Sequence, residues 1–169
     1  MHSRLTKKGN TTYHFSKKST GADMEQIPEG YEIYENPNGK VYLRKILKKS
    51  IKDEEIKVIE KAMRKCCPIQ NFKLDIKKEF VYIYTVSTSI NELDLLSPLI
   101  GNSEKYKDYE TVMRLQLMDE QSRIFEIERF CFLSGIEDWI YLDDSDNLQE
   151  LVEEYVRHIG QESLYELFY

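Results

Sequence analysis

The stretch from Thr111 to Leu133, TVMRLQLMDEQSRIFEIERFCFL, constrains the fold more tightly than any other part of the chain. It reads as two long strands joined by a polar turn. Successive strand side chains point to opposite faces, so Met113, Leu115 and Leu117 share one face, and Val112, Arg114, Gln116 and Met118 the other. On the return strand Phe125 and Ile127 alternate with Glu126 and Glu128. A slip of one residue moves every side chain to the wrong face, so the pattern selects one pairing. A two-residue loop sets Leu115 against Glu126 and Leu117 against Ile124. A three-residue loop, Glu120-Gln121-Ser122, sets Leu117 against Phe125, Leu115 against Ile127, Arg114 against Glu128 and Gln116 against Glu126. Only the second register yields an apolar face, and it is the one expected.

The opposite face then carries Arg114, Gln116, Glu126 and Glu128, with Met118 and Ile124 at one end and Val112 and Phe130 at the other. Left in water, a cross-strand ion pair contributes only roughly 0.2–1 kcal/mol. Covered, the same charges are costly unless fully paired. A solvated sheet face is the commoner arrangement, because charged residues are mostly exposed. The functional alternative is a cleft lined by Arg114, Glu126 and Glu128, joined by Arg129 and Asp138. Carboxylates held close together, or in apolar surroundings, can serve acid–base chemistry there.

At 169 residues, 41% of them hydrophobic and 12% aromatic, the chain is long and apolar enough for a domain with a sizeable core. No apolar run approaches the roughly 18 residues that span a bilayer. The N-terminal MHSRLTKKGNTTYHF lacks the apolar centre of a secretory signal, so a cytoplasmic location away from membranes is expected. Cys66, Cys67 and Cys131 do not form a disulfide framework, and their spacing does not suit zinc, so they read as structural thiols. No metal site or cofactor is expected.

The net charge of −6 conceals an asymmetry. Residues 1–85 hold 18 Lys/Arg against 11 Asp/Glu, and residues 86–169 hold 6 against 19. A basic half can mark a nucleic-acid surface; its candidates are Lys48, Lys49, Lys52, Lys57 and Lys61. The acidic total works against polyanion binding. Two oppositely charged halves that face each other, within a monomer or across a dimer, fit the composition better.

Along the chain, residues 1–11 read as a flexible basic arm and residues 12–169 as a single domain. Thr12–Ser16 suits a short strand, followed by a polar loop. Tyr31–Glu35 and Lys40–Ile46 form a hairpin around Asn36-Pro37-Asn38-Gly39, where Pro presets φ and Gly takes a left-handed position. A three-residue loop pairs Ile33 with Leu43, Tyr34 with Tyr42 and Glu32 with Arg44. Ile51–Lys65 is an amphipathic helix with Ser50 as N-cap, apolar Ile56, Ile59, Ala62 and Met63, and Pro68 beyond its end. Its row of Lys57, Lys61 and Lys65 suits nucleic acid or simply a solvated face.

Asn71–Ile76 and Phe80–Val86 form a second hairpin of undetermined register, the return strand FVYIYTV being apolar enough to be covered on both sides. Ser87–Ile100 carries a short helical pattern broken by Pro98, and Gly101–Glu110 reads as a long loop. Beyond the central hairpin, Ser134-Gly135 marks a turn and Trp139–Leu142 a short strand. Asp143, Asp144 and Asp146 fail the calcium-loop pattern, because Leu148 stands where an oxygen ligand is needed; they suit a helix start. That helix carries Leu148, Leu151, Val152, Tyr155 and Val156 and stops at Gly160, before a last helical turn over Ser163–Phe168.

There is no glycine-rich phosphate loop, GxSxG, HExxH or CxxC pair. IPEGYEIYENPNGKVYLRK (Ile27–Lys45) and ERFCFLSGIEDWIYL (Glu128–Leu142) resemble a family of uncharacterised bacterial and archaeal proteins, the likeness running from about Tyr13 onward. That resemblance implies no activity, cofactor or catalytic residue. The chain is thus expected to be α+β, a largely antiparallel sheet of sequential hairpins with two main helices and short helical segments packed on it. The function it favours is a non-enzymatic protein-interaction or self-associating domain, with a protein partner or a second copy as ligand. The alternatives are a small-ligand or acid–base cleft at the charged hairpin face, and weak nucleic-acid binding through the basic half.

Overall fold

A computed structural model describes residues 2–5, 7, 11–14, 20, 26–87, 107–133 and 136–167. The fold is α+β, and the chain divides into two compact units, residues 1–47 and 48–169. In the first unit β1 (His2–Leu5) pairs antiparallel with β2 (Thr11–His14), so strand pairing reaches into the segment read as a basic arm. β3 (Tyr31–Glu35) and β4 (Val41–Lys45) form a second hairpin with the expected pairs Ile33–Leu43, Tyr34–Tyr42 and Glu32–Arg44. Its turn follows from side-chain chemistry. The Asn36 carboxamide oxygen accepts from the Asn38 and Lys40 amides, and Gly39 supplies a φ of +73°.

The second unit is a five-stranded antiparallel sheet in chain order: β5 (Phe72–Lys77), β6 (Phe80–Val86), β7 (Tyr109–Asp119), β8 (Ile124–Leu133) and β9 (Ile136–Ser145). Helices α1 (Asp53–Cys66) and α2 (Leu148–Val156) share one core with it, followed by the short α3 (Ser163–Glu166). Ile59 and Met63 of α1 and Val152 and Val156 of α2 are buried with Val81, Ile83, Met113, Leu115, Phe125 and Ile127 of the sheet. That list confirms which face of the central hairpin points inward.

The expected register of the central hairpin holds at Arg114–Glu128, Leu115–Ile127, Gln116–Glu126 and Leu117–Phe125. Its loop differs. Asp119 pairs with Ile124, Met118 is left over as a bulge, and the turn spans Glu120–Arg123 with Arg123 at φ +56°. The Asp119 carboxylate explains the change, since one oxygen accepts from the Gln121 and Ser122 amides at 2.6 and 3.1 Å and organises a four-residue turn. Strand β6 is buried only at alternate positions, Val81, Ile83 and Thr85, so it is not covered on both sides as expected. Helix α1 begins two residues later than expected and is capped by the Glu55 side chain accepting from the Lys52 amide, not by Ser50. The helical pattern expected over Ser87–Ile100, most of the Gly101–Glu110 loop, and the Ser134-Gly135 turn lie outside the described residues.

Further irregularities shape the sheet. Between β6 and β7 the register jumps so that Ile83 meets Met113 but Tyr84 meets Thr111, leaving Val112 as an extra residue. A bulge of this kind bends its strand and increases local twist. Between β7 and β8 the paired residues end at Met113–Arg129. Past that point Tyr109–Thr111 pair only with β6, and Phe130–Leu133 only with β9. The two central strands therefore part company at one end of the sheet.

Candidate functional site

On the face of the sheet away from α1 and α2, Arg114 sits opposite Glu128 and bonds it with two nitrogens: Nε to Oε2, and Nη2 to Oε1 at 3.0 Å. The strand register places them side by side, and the fork geometry of a guanidinium suits a carboxylate. Burial pulls against the charge on Arg114, but hydrogen bonding and attraction from Glu128 prevail and raise its pKa. Rings close over the pair. The guanidinium carbon lies 4.3 Å from the centre of Trp139 and 5.0 Å from that of Phe80. Tyr82 meets Trp139 edge-on at 5.9 Å, and Trp139 meets Phe130 at 5.2 Å. Lys77 adds its ammonium 5.0 Å from the Tyr82 ring and 2.9 Å from Asp75.

This canopy explains the low exposure of the charges: 19% for the Arg114 side chain and 10% for that of Glu128. The ion pair is largely withdrawn from water. It is the centre of an aromatic surface, to which β6 contributes Phe80 and Tyr82, β8 Phe130 and β9 Trp139.

The remaining candidates separate. Glu126 stands beside Glu128 and Asp144, where burial first and then both carboxylates push its pKa up, and Arg114 only partly offsets them. Arg129 points to the helix side, 2% exposed, and donates Nε to the Leu167 carbonyl at 3.1 Å. It anchors the chain beyond α3. Asp138 is exposed and accepts from the Trp139 amide through its own side chain. At the β9 end, Tyr141 donates to Asp144 at 2.6 Å, which pushes the phenol up to about 12.

The basic candidates do not converge. Lys48, Lys49 and Lys52 are exposed ahead of α1 and at its N-cap. Lys57 and Lys61 flank a groove of about 150 Å³ against Gln149 and Glu153 of α2, and Lys65 is bonded to Glu153 at 2.8 Å. Asp53 and Glu54 stand between Lys52 and Lys57 in the chain, and Glu60 between Lys57 and Lys61, so acidic side chains accompany the lysines. Among the described residues no cluster of His, Cys, Asp and Glu has the arrangement of a metal site, and no helix is long and apolar enough to cross a membrane. The cysteines are unbridged, and burial raises the Cys67 thiol pKa.

No protein-family model, no curated protein and no solved structure matches the chain. The residues that sequence reasoning missed are Phe80, Tyr82 and Trp139. The signal for Phe80 and Tyr82 lay in FVYIYTV, where Phe80, Tyr82 and Tyr84 alternate with Val81, Ile83 and Thr85. The alternation predicts one aromatic face, provided β6 is not covered on both sides.

Proposed function

We propose that this chain is a non-enzymatic protein-interaction domain that docks its partner on the aromatic, Arg114-centred face of the five-stranded sheet. The ring canopy over Arg114 and Glu128 carries this reading. An acid–base site must present its acid or base to a substrate. Here the arginine and the carboxylate are committed to each other beneath rings. Trp, Tyr, Phe and Arg are the side chains enriched in the cores and hot spots of protein interfaces. A surface whose rings are already held by neighbouring rings and a guanidinium loses less freedom on binding.

Two other observations agree. Residues 48–169 hold 16 Lys/Arg against 25 Asp/Glu, a balance that favours a protein partner over a polyanion. In the first unit, Ile33 and Val41 are exposed together on one face of the β3–β4 hairpin, apolar surface of the kind a partner covers.

A photo-crosslinking amino acid placed at Tyr82, with the same group at exposed Glu60 of α1 as control, tests the proposal in cells of the source organism. Discrete crosslinked species from position 82 that are absent from position 60 are expected. No crosslink at 82, or the same pattern from both positions, overturns it.

A further inference from the structure

The parting of β7 and β8 leaves a cavity of about 650 Å³ lined by Glu110, Thr111 and Val112 of β7, Phe130 of β8, and Leu164 and Tyr165 of α3. That volume lies in the range of sites that hold a small ligand or a short peptide. We infer that this split is a strand-accepting cleft, which takes an extended peptide segment carrying apolar and Lys/Arg side chains in alternation. The inference rests on the protein-interaction reading above and names the chemistry of a partner at one end of the same sheet.

The backbone carries the first part. Beyond Met113–Arg129, β7 is paired only on its β6 side and β8 only on its β9 side. The Val112 bulge sits where the pairing of β7 with β8 ends, and a bulge bends its strand. Strand edges are templates for pairing with another chain, and peptides commonly bind by adding a strand. β7 and β8 are antiparallel, so an inserted segment runs antiparallel to one wall and parallel to the other. The walls are four residues each, about 13 Å of strand.

The side chains carry the second part. Val112, Phe130 and Leu164 offer an apolar lining. Thr111 Oγ1 is buried without a hydrogen-bond partner, the one such atom among the described side chains. Buried hydroxyls are normally paired, and each exception calls for an explanation; this one lies on the stretch of β7 that has lost its β8 neighbour. Glu110 is exposed at the rim. With the acidic balance of residues 48–169, it favours a cationic side chain next to an apolar one.

The test uses the full chain as bait for a displayed library of random eight-residue peptides lacking Trp, with Glu110→Lys as a parallel bait. Peptides with alternating apolar and basic positions are expected on the wild type. A synthetic copy of the most enriched one should bind Glu110→Lys at least tenfold more weakly. It should also shift the emission of Trp139, the only tryptophan, whose ring lies 5.2 Å from Phe130. Hydrogen exchange supplies the readout specific to strand insertion: amides of Glu110–Val112 and Phe130–Leu133 should gain protection on binding. Acidic peptides, equal binding to both baits, or binding without that protection overturns the inference. If no peptide is enriched while crosslinks at Tyr82 persist, the cleft fails and the interaction surface stands. If both are absent, both fail.

Discussion

Arg123 and Glu55, from the tip of the central hairpin and the first turn of α1, form a two-point clamp. Nε donates to Oε1 at 2.8 Å and Nη2 to Oε2 at 2.5 Å. Nη2 also reaches the Ser50 carbonyl at 3.2 Å, and Glu55 Oε2 accepts from the Lys52 amide that begins the helix. One carboxylate thus caps a helix and fixes the hairpin against it. Charge-assisted bonds of this kind contribute about 1.5–3 kcal/mol each when partly buried. Glu55→Gln and Arg123→Met should each lower unfolding stability by about 2 kcal/mol, and the double variant by less than the sum. Urea denaturation of the four proteins measures the coupling; additive losses would show that the clamp is only apparent.

Arg114→Lys keeps the charge but loses the planar fork and the stacking on Trp139. A stability loss of about 1–2 kcal/mol is expected, together with a change in near-ultraviolet circular dichroism from the displaced indole. An unchanged spectrum would mean that the canopy does not depend on the guanidinium.

Gly160 has φ +80°, and a Cβ there would stand 2.7 Å from Ile69 Cδ1. Gly160→Ala therefore meets both a left-handed backbone and a packed side chain. A loss of about 2–4 kcal/mol is expected. Ile69→Val removes the Cδ1 methyl, so in the Gly160→Ala background it should restore part of the loss. Thermal unfolding of the single and double variants decides; a further drop on adding Ile69→Val would exclude the clash as a cause.

Glu126 has a folded pKa above its ordinary value, because burial and the Glu128 and Asp144 carboxylates disfavour its charge. Its folded form therefore holds the proton more tightly than the unfolded chain does. Below the unfolded pKa there is no penalty; as pH rises through the interval up to the raised folded value, stability is lost, and above it the loss is complete. Glu126→Gln should consequently stabilise the protein at pH 7, with an advantage that shrinks towards pH 4. Chemical denaturation across that range checks it. A variant advantage independent of pH would assign the effect to packing.

The pairing of the central hairpin was legible because its apolar residues alternate on both strands and only one register aligns them. The hairpin at Asn36–Gly39 was legible because Pro and Gly dictate φ locally. The loop at Glu120–Arg123 was not, because an arginine at φ +56° leaves no mark in the composition. Nor was the partner of Arg129: the register sets it across from Met113, but only the docking of the chain beyond α3 supplies the buried carbonyl it bonds. The Arg114–Glu128 pair could be read from register, whereas its canopy depends on Tyr82 and Trp139 reaching each other across two intervening strands.

The sheet's strand order is also its order along the chain, and this bears on how it assembles. Pairings between neighbours close short loops quickly. The β7–β8 turn closes four residues, whereas the link from β6 to β7 runs from residue 87 to 108. That difference adds about 1.5 kcal/mol of closure entropy. During synthesis β5 and β6 emerge first, so Val81 and Ile83 must wait in water until Met113 and Leu115 leave the ribosome. Of the four joins in the sheet, the β6–β7 seam closes the longest connection. It is also where a nascent chain is most exposed to mispairing and most in need of a chaperone.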